Sequence, residues 1–189
     1  MKRTVVTDFN KNTSNMKNYL GVYRKYYAQQ IGIPINNFFD MFEQKPDRNE
    51  ITIDPFARNC TWAFPHTNDI NPETSSVHHM DALEFLRGYE PRSFEIGLLD
   101  PPFSDRMSKD KYGTSNLYAS DSKKMRAIEL SLGNIIKTGG IIIKLGYNSS
   151  KPHPGFVLEE FEIWNLGACR NDIICTIWRK VNSSILEWI

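Results

Sequence analysis

The sequence predicts a three-layer α/β sandwich: a mostly parallel sheet with helices on both faces and one antiparallel strand near the C-terminus. Three observations predict it. Short β-prone runs alternate with helix-period segments across residues 50–145, the pattern of strands joined by crossover helices. The runs Phe94–Leu99 and Ile141–Leu145 are almost wholly apolar and read as buried strands. The last two runs, 161–166 and 173–178, leave no room for a crossover helix between them, which makes them an antiparallel hairpin at one end of the sheet.

In chain order, the first element is a helix. Met16, Leu20, Tyr23, Tyr27 and Ile31 recur at three- and four-residue steps behind a Ser14 N-cap, and Ile33-Pro34 ends the run. A short helical piece over 36–42 and a polar connector over 44–48 follow. Residues 1–49 thus read as a basic helical extension packed on a core formed by 50–189. Ile51–Ile53 is a strand ending in Asp54-Pro55; residues 66–70 and 77–80 are weaker strands ending at Asp69 and Asp81. Asp81 caps a helix over Ala82–Arg87, and Phe94–Leu99 runs straight into Asp100-Pro101-Pro102-Phe103. Met125, Ile128, Leu132, Ile135 and Ile136 stripe a helix capped by Asp121 or Ser120 and stopped by Thr138-Gly139-Gly140.

Composition narrows the function classes. The 189 residues carry 23 basic and 22 acidic side chains, which excludes a polybasic nucleic-acid coat. The chain has no apolar run long enough for a membrane span and no signal-peptide core, and its 3 cysteines read as reduced thiols. Charge is uneven, however. Lys2, Arg3, Lys11, Lys17, Arg24 and Lys25 face Asp8 alone in residues 1–30, and 105–126 is also net basic. These are either solvated surface or two patches for a phosphate backbone. His66, His78, His79 and Cys60 lack zinc-ligand spacing, and no metal is expected.

Ligands of such sheets bind at the carboxyl ends of the strands. Four of those ends carry an aspartate: Asp54, Asp69, Asp81 and Asp100. Each is an ordinary turn or cap residue taken singly; four in series converge on one rim. An Asp after the second strand is placed to accept ribose hydroxyls, and one after the third to accept an adenine amino group. The Asp100-Pro101-Pro102-Phe103 loop is the sharpest signal. Its prolines fix φ and remove two backbone donors, so it presents acceptors alone, suited to an exocyclic NH2. Phe103 offers a flat face on which a base can stack.

On these residues the chain resembles a class I S-adenosylmethionine-dependent methyltransferase with a Rossmann-like fold, of the group that methylates amino nitrogens of DNA bases. Asp100-Pro101-Pro102-Phe103 fits that group's D/N/S-P-P-Y/F/W motif, and Ile53-Asp54-Pro55-Phe56 the start of its D-P-F-x-G-x-G cofactor motif. Asn68–Pro72, His79–Leu83 and Gly139–Ile143 fit its later segments; the overall texture resembles small adenine-specific methyltransferase-like proteins of phages and prophages. The resemblance implies adenine N6 in DNA as the target, with cytosine N4 and RNA as alternatives, in the cytoplasm (the host's, for a phage protein). It implies that Asp54, Pro55, Phe56, Arg58 and Asn59 hold the methionine part of the cofactor, Asp69 and Ile70 its ribose, and Asp81 and Ala82 its adenine. Asp100, Pro101, Pro102 and Phe103 would align a base flipped from the duplex. Arg106, Lys109, Lys111, Tyr112, Lys123 and Asn148 are the nucleic-acid contacts expected, with target recognition supplied either by the basic 105–120 loop and the N-terminal helix or by a second subunit or homodimer. One departure matters: Arg58 and Cys60 stand where the pattern has glycines, which permit positive φ and close approach to the cofactor. Asn59 is the residue expected to take the left-handed turn instead. A chain that had lost the cofactor would be a non-catalytic nucleic-acid-binding or regulatory subunit.

Overall fold

The computed structural model describes residues 2–7, 14–32, 49–102, 121–148, 151–165 and 171–182. Its elements are β1 (Lys2–Thr7), α1 (Ser14–Ile31), β2 (Thr52–Ile53), α2 (Ala82–Arg87), β3 (Phe94–Leu99), α3 (Ser122–Ile135), β4 (Ile136–Gly146), β5 (Phe156–Asn165) and β6 (Ile173–Lys180). The short helix expected over 36–42 lies outside the described residues.

The strands form one sheet in the order β1-β5-β6-β4-β3-β2. β6 runs antiparallel to both its neighbours and every other pair is parallel, as expected. The β5–β6 hairpin is not at the end of the sheet, however. β6 is inserted beside β4, and β1, a segment read from the sequence as lead-in to the first helix, forms the outer edge beside β5 from Lys2↔Glu160 to Thr7↔Asn165. Its KRTVVT sequence, charged at one end, has the makeup of an edge strand.

Each face of the sheet has its own core. On one face α2 and α3 place Phe85, Leu86, Ile128, Leu132 and Ile135 against Ile53, Leu99, Ile142 and Trp178. On the other α1 places Tyr19, Val22, Tyr23 and Tyr26 against Leu98, Ile143, Leu145, Trp164, Cys175 and Ile177. Each such large side chain fully buried contributes roughly 1.5–3 kcal/mol. The buried face of α1 is rotated from the expected stripe: Tyr19, Val22 and Tyr26 lead it, while Leu20 and Tyr27 flank it half-buried. The reason is polar. Tyr23 Oη bonds Thr52 Oγ1 at 3.2 Å and accepts from Asn49 Nδ2 at 2.6 Å, and Tyr26 Oη donates to Glu160 at 2.8 Å, so these tyrosines bury without stranding their hydroxyls.

Two further expectations are corrected. Residues 66–70 and 77–80 are not strands but single bridges, Asp54↔Thr67 and Asn68↔His78. Side chains replace the missing ladders: the buried Asn68 carboxamide donates to the carbonyls of Pro55 and Met80 and accepts from the Met80 N–H. Thr67 Oγ1 likewise takes the Val77 N–H. The turn after α3 also differs, because the helix stops at Ile135 and β4 begins at once. Lys180 Nζ caps the helix by donating to the carbonyls of Gly133, Asn134 and Ile136. Thr138-Gly139-Gly140 instead forms an irregularity inside β4, where pairing jumps from Phe94↔Ile136 to Ile96↔Ile141.

Candidate active site at the sheet rim

β2, β3 and β4 are parallel, so Asp54, Asp100 and the residues after Gly146 emerge at one edge of the sheet. The bridges through Thr67 and Asn68 extend this edge to Asp69 and Asp81. The four aspartates are thus in series along one rim. Three of them do the same local work. Asp54 Oδ1 accepts the Phe56 N–H (3.0 Å), Asp69 Oδ1 that of Asn71 (2.9 Å) and Asp81 Oδ1 that of Leu83 (2.8 Å), each two residues on. These are the turns that aspartate forms readily with its own following backbone. Asp100 is the exception, because the residue two places on is Pro102, which has no N–H. Its carboxylate therefore does not form the two-residue turn that the other three form.

The rim is acidic and dry. Asp54 and Asp69 are 3% and 2% exposed. Burial, reinforced by the charges of Asp100 and Asp69, pushes the Asp54 pKa up to about 8, against the Phe56 N–H, which lowers it. Burial also raises Asp69; the Asn71 N–H and the charge and backbone N–H of Arg58 oppose that rise. Asp54 thus holds its proton at neutral pH, and a cation bound beside it would favour its ionised form.

One of the two glycine positions of the motif has a left-handed backbone, and Cys60 at the other does not. Arg58, at the first glycine position of the motif, has φ +50. A left-handed conformation at a residue with a Cβ costs about 1–2 kcal/mol, and the surroundings hold it. Its carbonyl accepts Ser76 Oγ at 2.9 Å, and Arg58 interacts favourably with the Asp69 carboxylate. The expected role for Asn59 is corrected: its Oδ1 instead accepts the Ser75 N–H at 3.0 Å, tying the loop to residues 73–76. Arg58 and Asn59 are exposed, Pro55 is buried, and Ile70 is among the few exposed large apolar residues. The side chains of Phe56 and Ala82 belong to the α2–α3 core.

A component that the sequence did not disclose is the contact of α1 with this loop. Tyr23 stacks on Trp62 (5.3 Å, 5°), and Tyr19 meets it edge-on (5.3 Å, 62°). Asn49 Nδ2 and Tyr23 Oη both donate to the Trp62 carbonyl. The helix read as a basic extension thus clamps the rim loop. Lys25, one of its positive charges, is paired with buried Glu160 rather than presented to a ligand. The signal was the run of tyrosines at helical spacing, which favours buried hydrogen bonds over a purely apolar seam.

Of the expected nucleic-acid contacts, Lys123 and Asn148 are exposed, in the first turn of α3 and just after β4. Phe103, Arg106, Lys109, Lys111 and Tyr112 lie outside the described residues. Among the described residues no cluster of three or more His, Cys, Asp or Glu is arranged to hold a metal ion, and no helix is long and apolar enough to cross a membrane.

No family model matches the chain, and no curated protein matches it. Solved structures do. They include the candidate methyltransferase yhhF from Escherichia coli, 10% identical over 78% of this chain and 84% of that one, with a TM-score of 0.46. TrmN from Thermus thermophilus is 12% identical over 75% of this chain, which spans only 47% of TrmN, with a TM-score of 0.47. The N-methyltransferase NodS from Bradyrhizobium japonicum is 14% identical over 71% of this chain and 86% of its own, with a TM-score of 0.45.

Proposed function

We propose that this protein is a Rossmann-like methyltransferase that moves a methyl group from S-adenosylmethionine to the exocyclic amino nitrogen of a base in DNA, adenine N6 first. The observation that carries the reading is Asp100-Pro101-Pro102. It is a carboxylate followed by two buried prolines that offer no N–H, at the end of the parallel strand β3 and near the buried Asp54. When bound, S-adenosylmethionine supplies a methyl group on a cationic sulfur, so the acceptor needs alignment more than a strong base.

The residues divide the work. Asp54, Pro55, Phe56 and the Arg58-Asn59 turn border the cofactor's amino-acid part, Asp69 and Ile70 its ribose, and Asp81 and Ala82 its adenine. The buried, acidic character of Asp54 and Asp69 suits a cationic nucleoside. Asp100 Oδ and the Pro101 carbonyl accept the two amino hydrogens and turn the nitrogen lone pair out of the base plane. Pro102 fixes the chain beyond them, and Asp100 is in reach to take the proton the nitrogen gives up. Phe103 stacks on the base; Lys123, Asn148 and the basic residues Arg106, Lys109 and Lys111 with Tyr112 meet the nucleic acid. A second subunit supplies target recognition. The left-handed backbone at Arg58 favours this enzyme over a non-catalytic binding module, since the turn survives the loss of its glycine.

The test is nucleoside mass spectrometry of unmethylated DNA and of RNA incubated with the protein and S-adenosylmethionine bearing a deuterated methyl. Labelled N6-methyladenine in DNA is expected. Label in RNA alone would change the substrate, and saturable cofactor binding without any labelled nucleoside would leave a binding module.

A further inference from the structure

Tyr19 stands where α1 meets the rim. Alternation along a strand puts Asp54 on the same face as Thr52, and Asp100 on the same face as Leu98. That face is the one α1 covers: Tyr23 bonds Thr52, and Leu98 packs in the α1 core. Tyr19 lies one helical turn before Tyr23, packed edge-on against Trp62 at 5.3 Å, 6.5 Å from Trp164 and in one cluster with Leu145 and Cys175. The residue is 6% exposed, and its buried hydroxyl has no hydrogen-bond partner among the described residues. Tyr23 and Tyr26 on the same helix both have theirs. A phenylalanine would fill the same space without the desolvation cost of an unpaired hydroxyl. Burial raises its pKa well above the usual value and Asp54 and Asp100 add to the rise, in keeping with their place on the sheet face that α1 covers.

The chemistry of this corner selects its occupant. A donor on the same sheet face as two carboxyl groups calls for a ligand with an acceptor next to a donor. A second anion there is disfavoured by Asp54 and Asp100, so the acceptor is neutral. An amino group on a ring carbon with a lone-pair ring nitrogen beside it answers both requirements. We infer that the Tyr19 hydroxyl is a substrate-binding group, donating a hydrogen bond to the ring nitrogen that neighbours the target amino group. The inference rests on the methyl-transfer reading and deepens it. The site takes the amidine edge shared by adenine and cytosine, with Asp100 on the amino hydrogens and Tyr19 on the ring nitrogen.

The experiment compares wild type and Tyr19→Phe on random-sequence duplexes containing adenine or 1-deazaadenine (cytosine or 3-deazacytosine if the wild type methylates cytosine). It reads kcat/KM for transfer, Kd for S-adenosylmethionine by calorimetry, and Tm. The variant should lose about ten- to hundredfold in kcat/KM on the natural base, the range for one hydrogen bond to a substrate. Its cofactor Kd should stay within about twofold and its Tm be unchanged or higher, since it removes an unpaired buried group. The deaza base should slow the wild type by a similar factor and slow the variant no further. Unchanged transfer, an equal loss of cofactor affinity, a lowered Tm, or additive losses would each overturn the assignment. A wild type that methylates no base defeats the methyl-transfer reading first, and the Tyr19 assignment with it.

Discussion

At the scale of single residues, Asp54 shows how the rim is set for a cation. Its carboxyl is buried beside Asp100 and Asp69 and holds its proton up to a pKa of about 8, whereas in the unfolded chain it ionises near ~4. Between those values the folded state binds the extra proton. The stability tied to this group is therefore full below about pH 4 and is lost as pH rises through about 8. Asp54→Asn keeps an oxygen for the Phe56 N–H and abolishes the titration. Urea unfolding from about pH 5 to 9 should show the wild type losing stability toward alkaline pH and the variant losing less; parallel profiles would contradict the burial seen here. The same group links function to pH, because a cation bound beside Asp54 favours its ionised form. Arg58 illustrates a different residue-scale lesson. The glycine-to-arginine departure predicts a left-handed turn shifted to Asn59, yet Arg58 itself takes it, with its carbonyl bonded to Ser76, a residue remote in sequence.

Among the elements, the rim is most legible where local chemistry dictates it. Phe94–Leu99 and Ala82–Arg87 are found at the boundaries their sequences indicate, because an apolar run between polar turns and an Asp81 cap are self-contained signals. The α3 stripe is legible for the same reason, with Asp121 Oδ1 taking the N–H groups of Lys123 and Lys124. The weaker strands before Asp69 and Asp81 were misread, since propensity does not reveal that Asn68 bonds through its side chain rather than through a ladder. The tyrosine face of α1 was displaced because its partners Thr52, Asn49 and Glu160 lie far along the chain. β1 escaped notice, as its pairing is with β5, some 160 residues away. Gly140 belongs to this scale as well. A Cβ there would lie 2.6 Å from the Glu95 carbonyl and 2.9 Å from that of Lys137, backbone atoms that the β3–β4 pairing holds in place. Gly140→Ala should cost about 1–3 kcal/mol in chemical denaturation, the range for overpacking, and an unchanged midpoint would mean that the irregularity in β4 is plastic.

For the molecule as a whole, the two faces of the sheet have separate tasks. α2 and α3 close one apolar core, while α1 closes the other and reaches the rim, where its tyrosines brace the loop after β2. The four aspartates Asp54, Asp69, Asp81 and Asp100 stand at one edge, and the opposite end is spent on caps such as Lys180. On the proposed reading this arrangement would tie the cofactor loop to the substrate corner through α1. The central claim is that Asp100 aligns the amino group that receives the methyl. It is tested most directly by nucleoside mass spectrometry of DNA from a methylation-deficient host expressing the protein or its Asp100→Ala variant. The account predicts a methylated amino base, N6-methyladenine first, with the wild type and none above background with the variant. Equal amounts of the modified base from both would contradict it.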